Sequence, residues 1–266
     1  MVASLRDVRS GARASAIPVV PARPSFAGIS AIGGVEARKM LTHPVYGVSL
    51  LFGLLLFRGV LGFGGTGGSR VGLWLAGGLL MGAVVGTLLS ANIAALRPRR
   101  DQMLELYGSL PSPPETRTAG SLAGMVLGPG SIAVALTAIA WWVFGRDPDI
   151  GPHVDGFLMV QFPLAILALG TSAIAVGRWF PSLFGGPLII AAYIFTPIGW
   201  VAPWIMPRSS GIAPGWHMAY IAAALTMWVA LALARDRRTR SRFAIAGIAL
   251  VFGIFAIVQQ TPPGGY

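Results

Sequence analysis

Residues 71–96, VGLWLAGGLLMGAVVGTLLSANIAAL, carry no charged side chain and form a run long enough to cross a lipid bilayer as one helix. A membrane-spanning helix needs about 20 apolar residues. Six other stretches are similarly apolar, and the predicted spans lie at 45–63, 71–96, 121–144, 157–177, 185–203, 214–234 and 243–260. We therefore expect an all-α, polytopic transmembrane helical bundle with six to seven spans.

The composition agrees with a membrane protein. Of the 266 residues, 55% are hydrophobic and only 11% are charged, whereas soluble domains carry about a quarter charged residues. The chain has no cysteine, which excludes disulfides, zinc–thiolate sites and iron–sulfur clusters. The net charge of +11 would suit a nucleic-acid-binding protein, so the placement of the basic residues decides between the two interpretations.

The basic residues are distributed asymmetrically between the two sides of the predicted membrane. Only Arg70, Arg146 and Arg208 fall in outer segments, and Arg58 lies within the first span, out of 20 Lys and Arg residues in the chain. All the others lie in inner segments if the N-terminus is inside. Cytoplasmic loops carry this excess in membrane proteins. We therefore predict a cytoplasmic N-terminus, contact with membrane lipid and no nucleic-acid partner.

Three regions are predicted along the chain. Residues 1–28 are rich in Arg, Ala, Ser and Pro and are expected to form a disordered, basic cytoplasmic tail. Residues 29–43 are a candidate interfacial helix on the inner surface, ahead of a transmembrane domain over 44–266 that includes a cytoplasmic segment at 97–120.

The hydrophobic periodicity of the candidate interfacial helix is poor. Glu36 and Lys39 interrupt the face that Ile29, Ile32 and Met40 would make. The periodicity alone is therefore weak support for a helix on the membrane surface.

A glycine stripe lies on one face of the second span. Gly78, Gly82 and Gly86 are four residues apart, and small residues at this spacing allow two helices to approach closely. The stripe is predicted to serve helix packing within one subunit or a homodimer seam, and the spacing does not distinguish these.

Two predicted spans contain residues that break a helix or that are polar. Pro129 lies between two glycines in the third span, and the fourth span carries Gln161 and Pro163. Broken membrane helices can line a cavity, so these residues are candidates for a transport pathway. Ordinary proline kinks are the alternative.

The sequence lacks the motifs of several kinds of chemistry. A phosphate-binding loop requires Gly-Lys-Ser/Thr, and the chain's one lysine, Lys39, lies between Arg38 and Met40. The histidines, His43, His153 and His217, are far apart, and each is predicted to be a solvated residue at a membrane surface. We therefore predict no catalytic residue, no metal site and no enzyme activity in this chain. No acidic residue lies deep in a span, which disfavours an ion-coupled carrier.

The inner segment between the second and third spans contains an amphipathic helix of its own. Met103, Leu106, Tyr107 and Leu110 follow i, i+3, i+4, i+7 spacing, which predicts one apolar helix face. Asp101 is a suitable N-cap, and Gly108 followed by Pro111 is a suitable stop. Two turns of helix are unstable alone, so this face must rest on lipid, on the chain itself or in a groove of a partner.

Three stretches resemble the permease subunits of type-2 ABC transporters. The segment 101–120, DQMLELYGSLPSPPETRTAG, is similar to their cytoplasmic link, a leucine-rich short helix ending in Leu-Pro. The segment 36–44, EARKMLTHP, resembles the surface helix ahead of their first span. The segment 213–238, APGWHMAYIAAALTMWVALALARDRR, is similar to their penultimate-span region.

The resemblance implies the membrane subunit of a bacterial ABC exporter in the plasma membrane. Such a subunit pairs as a homodimer or with a related permease and docks separate ATP-binding subunits, which hold the ATP and magnesium; no cofactor is expected in this chain. The coupling helix would be residues 101–110. The docking set would be Asp101, Met103, Glu105, Leu106, Tyr107, Leu110 and Pro111, with Glu36, Arg38 and Lys39 in the interfacial helix. The family usually has six spans, one fewer than the seven counted here.

Two other functions remain open from the sequence. A secondary carrier would follow an ion gradient instead of ATP. A non-transporting membrane scaffold would use the helix at 101–110 to recruit a soluble partner. The apolar spans are compatible with a hydrophobic cargo, but no motif identifies it.

Overall fold

The computed structural model describes residues 25–61, 68–100, 113–146, 156–195 and 212–260. Within these ranges the regular elements are all helical. They are α1 Phe26–Leu41, α2 Pro44–Leu61, α3 Gly68–Arg100, α4 Pro114–Met125, α5 Ser131–Phe144, α6 Gly156–Trp179, α7 Gly185–Phe195, α8 Pro214–Ala234 and α9 Arg240–Gln260, with a π-helical turn, Val126–Gly130, between α4 and α5.

The helices are those of a multi-pass membrane protein, which confirms the predicted all-α polytopic bundle. In the described ranges, five helical segments are long and apolar enough to cross a membrane: Trp74–Arg100, Pro114–Phe144, Met159–Trp179, Pro214–Ala234 and Arg240–Gln260. A sixth span results if α1 and the first part of α2 are counted together. The predicted span at 185–203 is described only as far as Phe195, the end of α7.

Helices α1 and α2 are two arms of a bent segment. Their axes differ by 50° across a short break. The Thr42 hydroxyl donates to the Arg38 carbonyl at 2.8 Å and closes α1. Pro44 then begins α2, and a proline disfavours helical geometry in the residue before it. The predicted helix at 29–43 is thus observed as α1, which starts three residues earlier and ends two residues earlier.

The third span is longer than predicted and contains a widened turn. It begins at Pro114 instead of 121 and continues to Phe144. Pro129 lies inside the π-helical turn, where it cannot donate a backbone hydrogen bond. The Ser131 hydroxyl donates to the Leu127 carbonyl at 2.9 Å and supplies a bond at this break. Such turns occur frequently at functional sites.

Helix α6 forms the centre of the bundle. Its Ile166, Leu169 and Ile174 side chains are almost completely buried, and it packs against α3, α5 and α8. Alanines line much of the same core, because helices without a hydrophobic driving force between them gain most from close backbone approach. Helix α9 packs on α8 at the edge of the bundle, and its large apolar side chains point outward, as expected for a lipid-facing helix.

Candidate functional site

The seven predicted docking residues fall outside the described part of the chain. These are Asp101, Met103, Glu105, Leu106, Tyr107, Leu110 and Pro111. Their role as a coupling helix stays a prediction. The structure does describe both helices that this link joins, because α3 ends at Arg100 and α4 begins at Pro114.

A seam of small residues joins α1 to α4 and to the π-helical turn that follows α4. A Cβ built on Gly124 would lie 2.9 Å from the Glu36 Cβ and 3.1 Å from the Ala37 nitrogen. Further along, a Cβ on Gly128 would lie 3.0 Å from the Ala37 Cα. The two helices therefore run parallel with nearly touching backbones. Their contact leaves no room for side chains at Gly124 or Gly128.

Sequence reasoning missed this seam because it followed the large apolar residues. The buried residues of α1 are Gly33, Ala37 and Met40, and only Met40 belonged to the face predicted from hydrophobic periodicity. The sequence feature that could have predicted the seam is the spacing of Gly120, Gly124 and Gly128. It has the same four-residue step as the glycine stripe in α3.

Glu36 connects α1 to the end of α3. Its carboxylate lies 3.3 Å from the Arg97 guanidinium and 3.6 Å from the Lys39 ammonium. Arg97 is three residues before the end of α3. Of the predicted interfacial residues, Glu36 and Lys39 thus form one network, whereas Arg38 is exposed and contributes its carbonyl to Thr42.

Asp236 connects α4 to the ends of α6 and α8. One carboxylate oxygen forms an ion pair with Arg178, near the end of α6, and the other accepts a hydrogen bond from the Thr118 hydroxyl of α4. The Asp236 side chain is only 6% exposed. Arg235 Nε donates to the Arg178 carbonyl at 3.3 Å.

A further ion pair joins α4 to α9. Glu115, in the first turn of α4, lies 3.5 Å from the Arg242 guanidinium. Arg242 also donates to the Leu233 carbonyl at 2.6 Å, near the end of α8. The start of α4, which directly follows the link, is therefore connected to α6, α8 and α9.

A cavity of about 650 Å³ opens between these networks. Its wall comes from α1, the end of α3, the start of α4 and the ends of α6 and α8. Its charged lining consists of Glu36 and Asp236 against six cations: Lys39, Arg97, Arg99, Arg117, Arg178 and Arg235. We call this cavity the basic pocket. The sequence indicated basic segments at this end of the spans but gave no indication that five helices bring them together.

Asp236 was identifiable in the sequence although sequence reasoning passed over it. It is the one acidic residue in the basic segment 235–242. Arg178 stands at the end of the fourth predicted span. Two opposite charges at the same membrane face are candidates for an ion pair, and no local spacing rule connects positions 58 residues apart.

The predicted pathway residues are buried within the bundle and do not line the basic pocket. Gln161 and Pro163 lie in α6, and Gln161 is completely buried. Pro129 is also buried. The turn containing Pro129 packs on α6, since a Cβ on Gly130 would lie 3.1 Å from the Leu167 side chain. A pathway role for these three residues stays a prediction.

The glycine stripe of α3 packs against α2 of the same chain. A Cβ on Gly78 would lie 2.8 Å from the Leu54 Cα, and a Cβ on Gly86 would lie 3.1 Å from the Tyr46 ring. A Cβ on Gly82 would lie 2.5 Å from the Leu50 Cα. Of the two predicted roles of the stripe, these contacts correspond to helix packing within one subunit. The three glycines therefore give no support for a homodimer.

The environment of one histidine differs from the predicted one. His217 is completely buried, and its Nδ1 is 3.0 Å from the Gln260 Oε1. The physical reason is that α8 and α9 run antiparallel, so the end of α9 covers the start of α8. Among the described residues, no group of three or more metal-ligating side chains comes together.

The chain matches no protein-family model, no curated protein and no solved structure.

Proposed function

We propose that this chain is the membrane permease subunit of an ATP-driven ABC exporter in a bacterial plasma membrane. A separate ATPase subunit would dock on residues 101–110 and would hold the ATP and magnesium. The observation that supports this most is the set of connections at the two ends of the link. Arg97 before it and Thr118 after it both bind buried or half-buried carboxylates of other helices.

These connections suit a link that transmits force. A displacement of the link would act on α3 through Arg100 and on α4 through Pro114. The Arg97–Glu36 pair would carry it to α1, and the Thr118–Asp236–Arg178 network would carry it to α6 and α8. ATP-driven closure of the docked subunit would in this way move several helices together.

The proposal includes a pair of permease subunits, either two copies or this chain with a related one. Large apolar side chains are exposed on α2, α5 and α9, and each of these faces is open to lipid or to a second subunit. A hydrophobic cargo is compatible with the same surfaces.

The test is purification of the tagged full-length chain from its native membrane in mild detergent, followed by mass spectrometry of co-purifying proteins. We expect a stoichiometric soluble chain that carries a phosphate-binding loop. Leu106→Asp should abolish its co-purification, because a charge on the docking face must be desolvated in the complex.

Phe26→Asp is the matched control. Phe26 is also apolar, is 85% exposed and begins α1, outside residues 101–110. This variant should retain the ATPase. Loss of the ATPase from both variants, or its absence from the unmodified chain, contradicts the proposal. Transport that follows an ion gradient would instead indicate a secondary carrier, and a soluble partner without a nucleotide-binding motif would indicate a scaffold.

A further inference from the structure

We propose that the basic pocket binds an anionic phosphate group, supplied by the headgroup of an acidic phospholipid. The proposal concerns a ligand of the bundle itself and does not depend on the ATPase. Basic pockets between membrane helices on the cytoplasmic side are suited to such headgroups.

The charge balance of the pocket favours an anion. Six cationic side chains line it, and two carboxylates oppose them. Both carboxylates are already engaged, Glu36 with Arg97 and Lys39, and Asp236 with Arg178. An anion in the cavity would therefore meet an excess of positive charge.

Mutual repulsion among the arginines strengthens this argument. Arg117 and Arg235 are close enough to Arg178 for unfavourable like-charge interactions, which are weaker than the attraction of Arg178 to Asp236. A bound phosphate would relieve this repulsion by accepting charge-assisted hydrogen bonds from several guanidinium groups. Arginine suits this role because its planar donors match phosphate oxygens.

The helix dipoles at the pocket have opposite signs. The ends of α3, α6 and α8 bring the negative poles of their dipoles to the pocket, and arginines in the last turns of α3 and α6 and at the C-cap of α8 compensate these. The start of α4 brings a positive pole, and Pro114 at this start lies in the pocket wall. Glu115 in the first turn of α4 offsets this pole in part, so the attraction for an anion comes mainly from the cationic side chains.

The apolar part of the wall favours a lipid over a free ion. Ile32, Val35 and Ile174 line the cavity together with alanines of α1 and α3. Val35 is 53% exposed and continues the wall toward the outside of the bundle. A phosphate attached to a glycerol and acyl chains can cover this apolar surface, whereas inorganic phosphate leaves it in contact with water.

The test measures binding of phosphatidylglycerol to the delipidated full-length chain in detergent by native mass spectrometry. We expect one saturable site per chain. The pocket variant is Arg99→Gln with Arg117→Gln, and the control is Arg237→Gln with Arg240→Gln. All four residues lie at the same end of the bundle, and both variants lose the same charge. Arg237 and Arg240 are exposed and outside the pocket.

The pocket variant should bind phosphatidylglycerol about tenfold more weakly or worse, since two cations near the phosphate are lost. The control should stay within about twofold of the unmodified chain, as expected for exposed charges away from the ligand. Should the pocket variant fold poorly, Lys39→Gln with Arg99→Gln replaces it, because both of these side chains are exposed.

Competition with inorganic phosphate distinguishes the two sources of the anion. Phosphatidylglycerol binding that millimolar phosphate does not displace supports the headgroup. Displacement at these concentrations retains an anion site in the pocket but overturns the lipid assignment. Equal weakening in the pocket and control variants, or no saturable binding of either ligand, overturns the proposal. None of these results depends on co-purification of an ATPase.

Discussion

Asp236 and Arg178 form an ion pair across the ends of α8 and α6, and Thr118 of α4 donates to the same carboxylate. Both charged side chains are largely removed from water, at 6% and 24% exposure. The pair therefore joins three helices at one point. Its loss should affect more than one helix contact.

We expect Asp236→Ala to lower the stability of the bundle by about 3 kcal/mol, because it leaves the Arg178 charge buried without its partner. Arg178→Ala should cost a similar amount, roughly 3 kcal/mol, for the reciprocal reason. The double variant should cost clearly less than the two single variants together. Thermal unfolding of the four proteins in one detergent measures this coupling. Strict additivity would show that the two side chains do not interact.

The seam between α1 and α4 predicts a severe effect of a large residue at Gly124. Gly124→Leu must displace α1, because its Cβ alone would lie 2.9 Å from the Glu36 Cβ. We expect a loss of about 2–3 kcal/mol, typical of overpacking. The control is Gly34→Ala, since a Cβ at Gly34 meets no atom within 4 Å. Gly34→Ala should be neutral or stabilising by about 0.5–1 kcal/mol through helix propensity. Equal effects of the two variants on the unfolding temperature would rule out the seam.

The glycine stripe of α3 predicts a stability effect within a single chain. Gly82→Leu should separate α3 from α2 and lower the unfolding temperature at every protein concentration, because the residues it meets belong to the same chain. Gly47→Ala is the control in α2, where a Cβ meets nothing within 4 Å. Light scattering in detergent should show the same mass for both variants. A well-folded Gly82→Leu protein that has changed from dimer to monomer would instead place the stripe at a subunit interface.

The distribution of basic residues predicts the orientation of the bundle in the membrane. Arg146 and Arg237 are both exposed, and the chain has no cysteine of its own. A membrane-impermeant maleimide applied to whole cells should label Arg146→Cys and not Arg237→Cys, because cytoplasmic loops carry the basic excess. Both variants should be labelled after the cells are opened. Labelling of Arg237→Cys in intact cells would reverse the predicted orientation.

The alternation of apolar runs and basic segments was sufficient to predict the fold class and most of the spans. Membrane insertion depends mainly on the hydropathy of each segment and on the charges beside it, and both are local properties of the sequence. The break before Pro44 and the interruption at Pro129 were likewise visible, since proline restricts the backbone wherever it stands.

The partners of the helices were decided only by the tertiary structure. The stripes at Gly78, Gly82 and Gly86 and at Gly120, Gly124 and Gly128 have the same spacing, yet one packs against α2 and the other against α1. A face of small residues indicates that another helix can approach closely. It does not indicate which helix that will be. The basic pocket and the Arg178–Asp236 pair have the same origin, because they depend on charges far apart in sequence that meet only when the helices assemble.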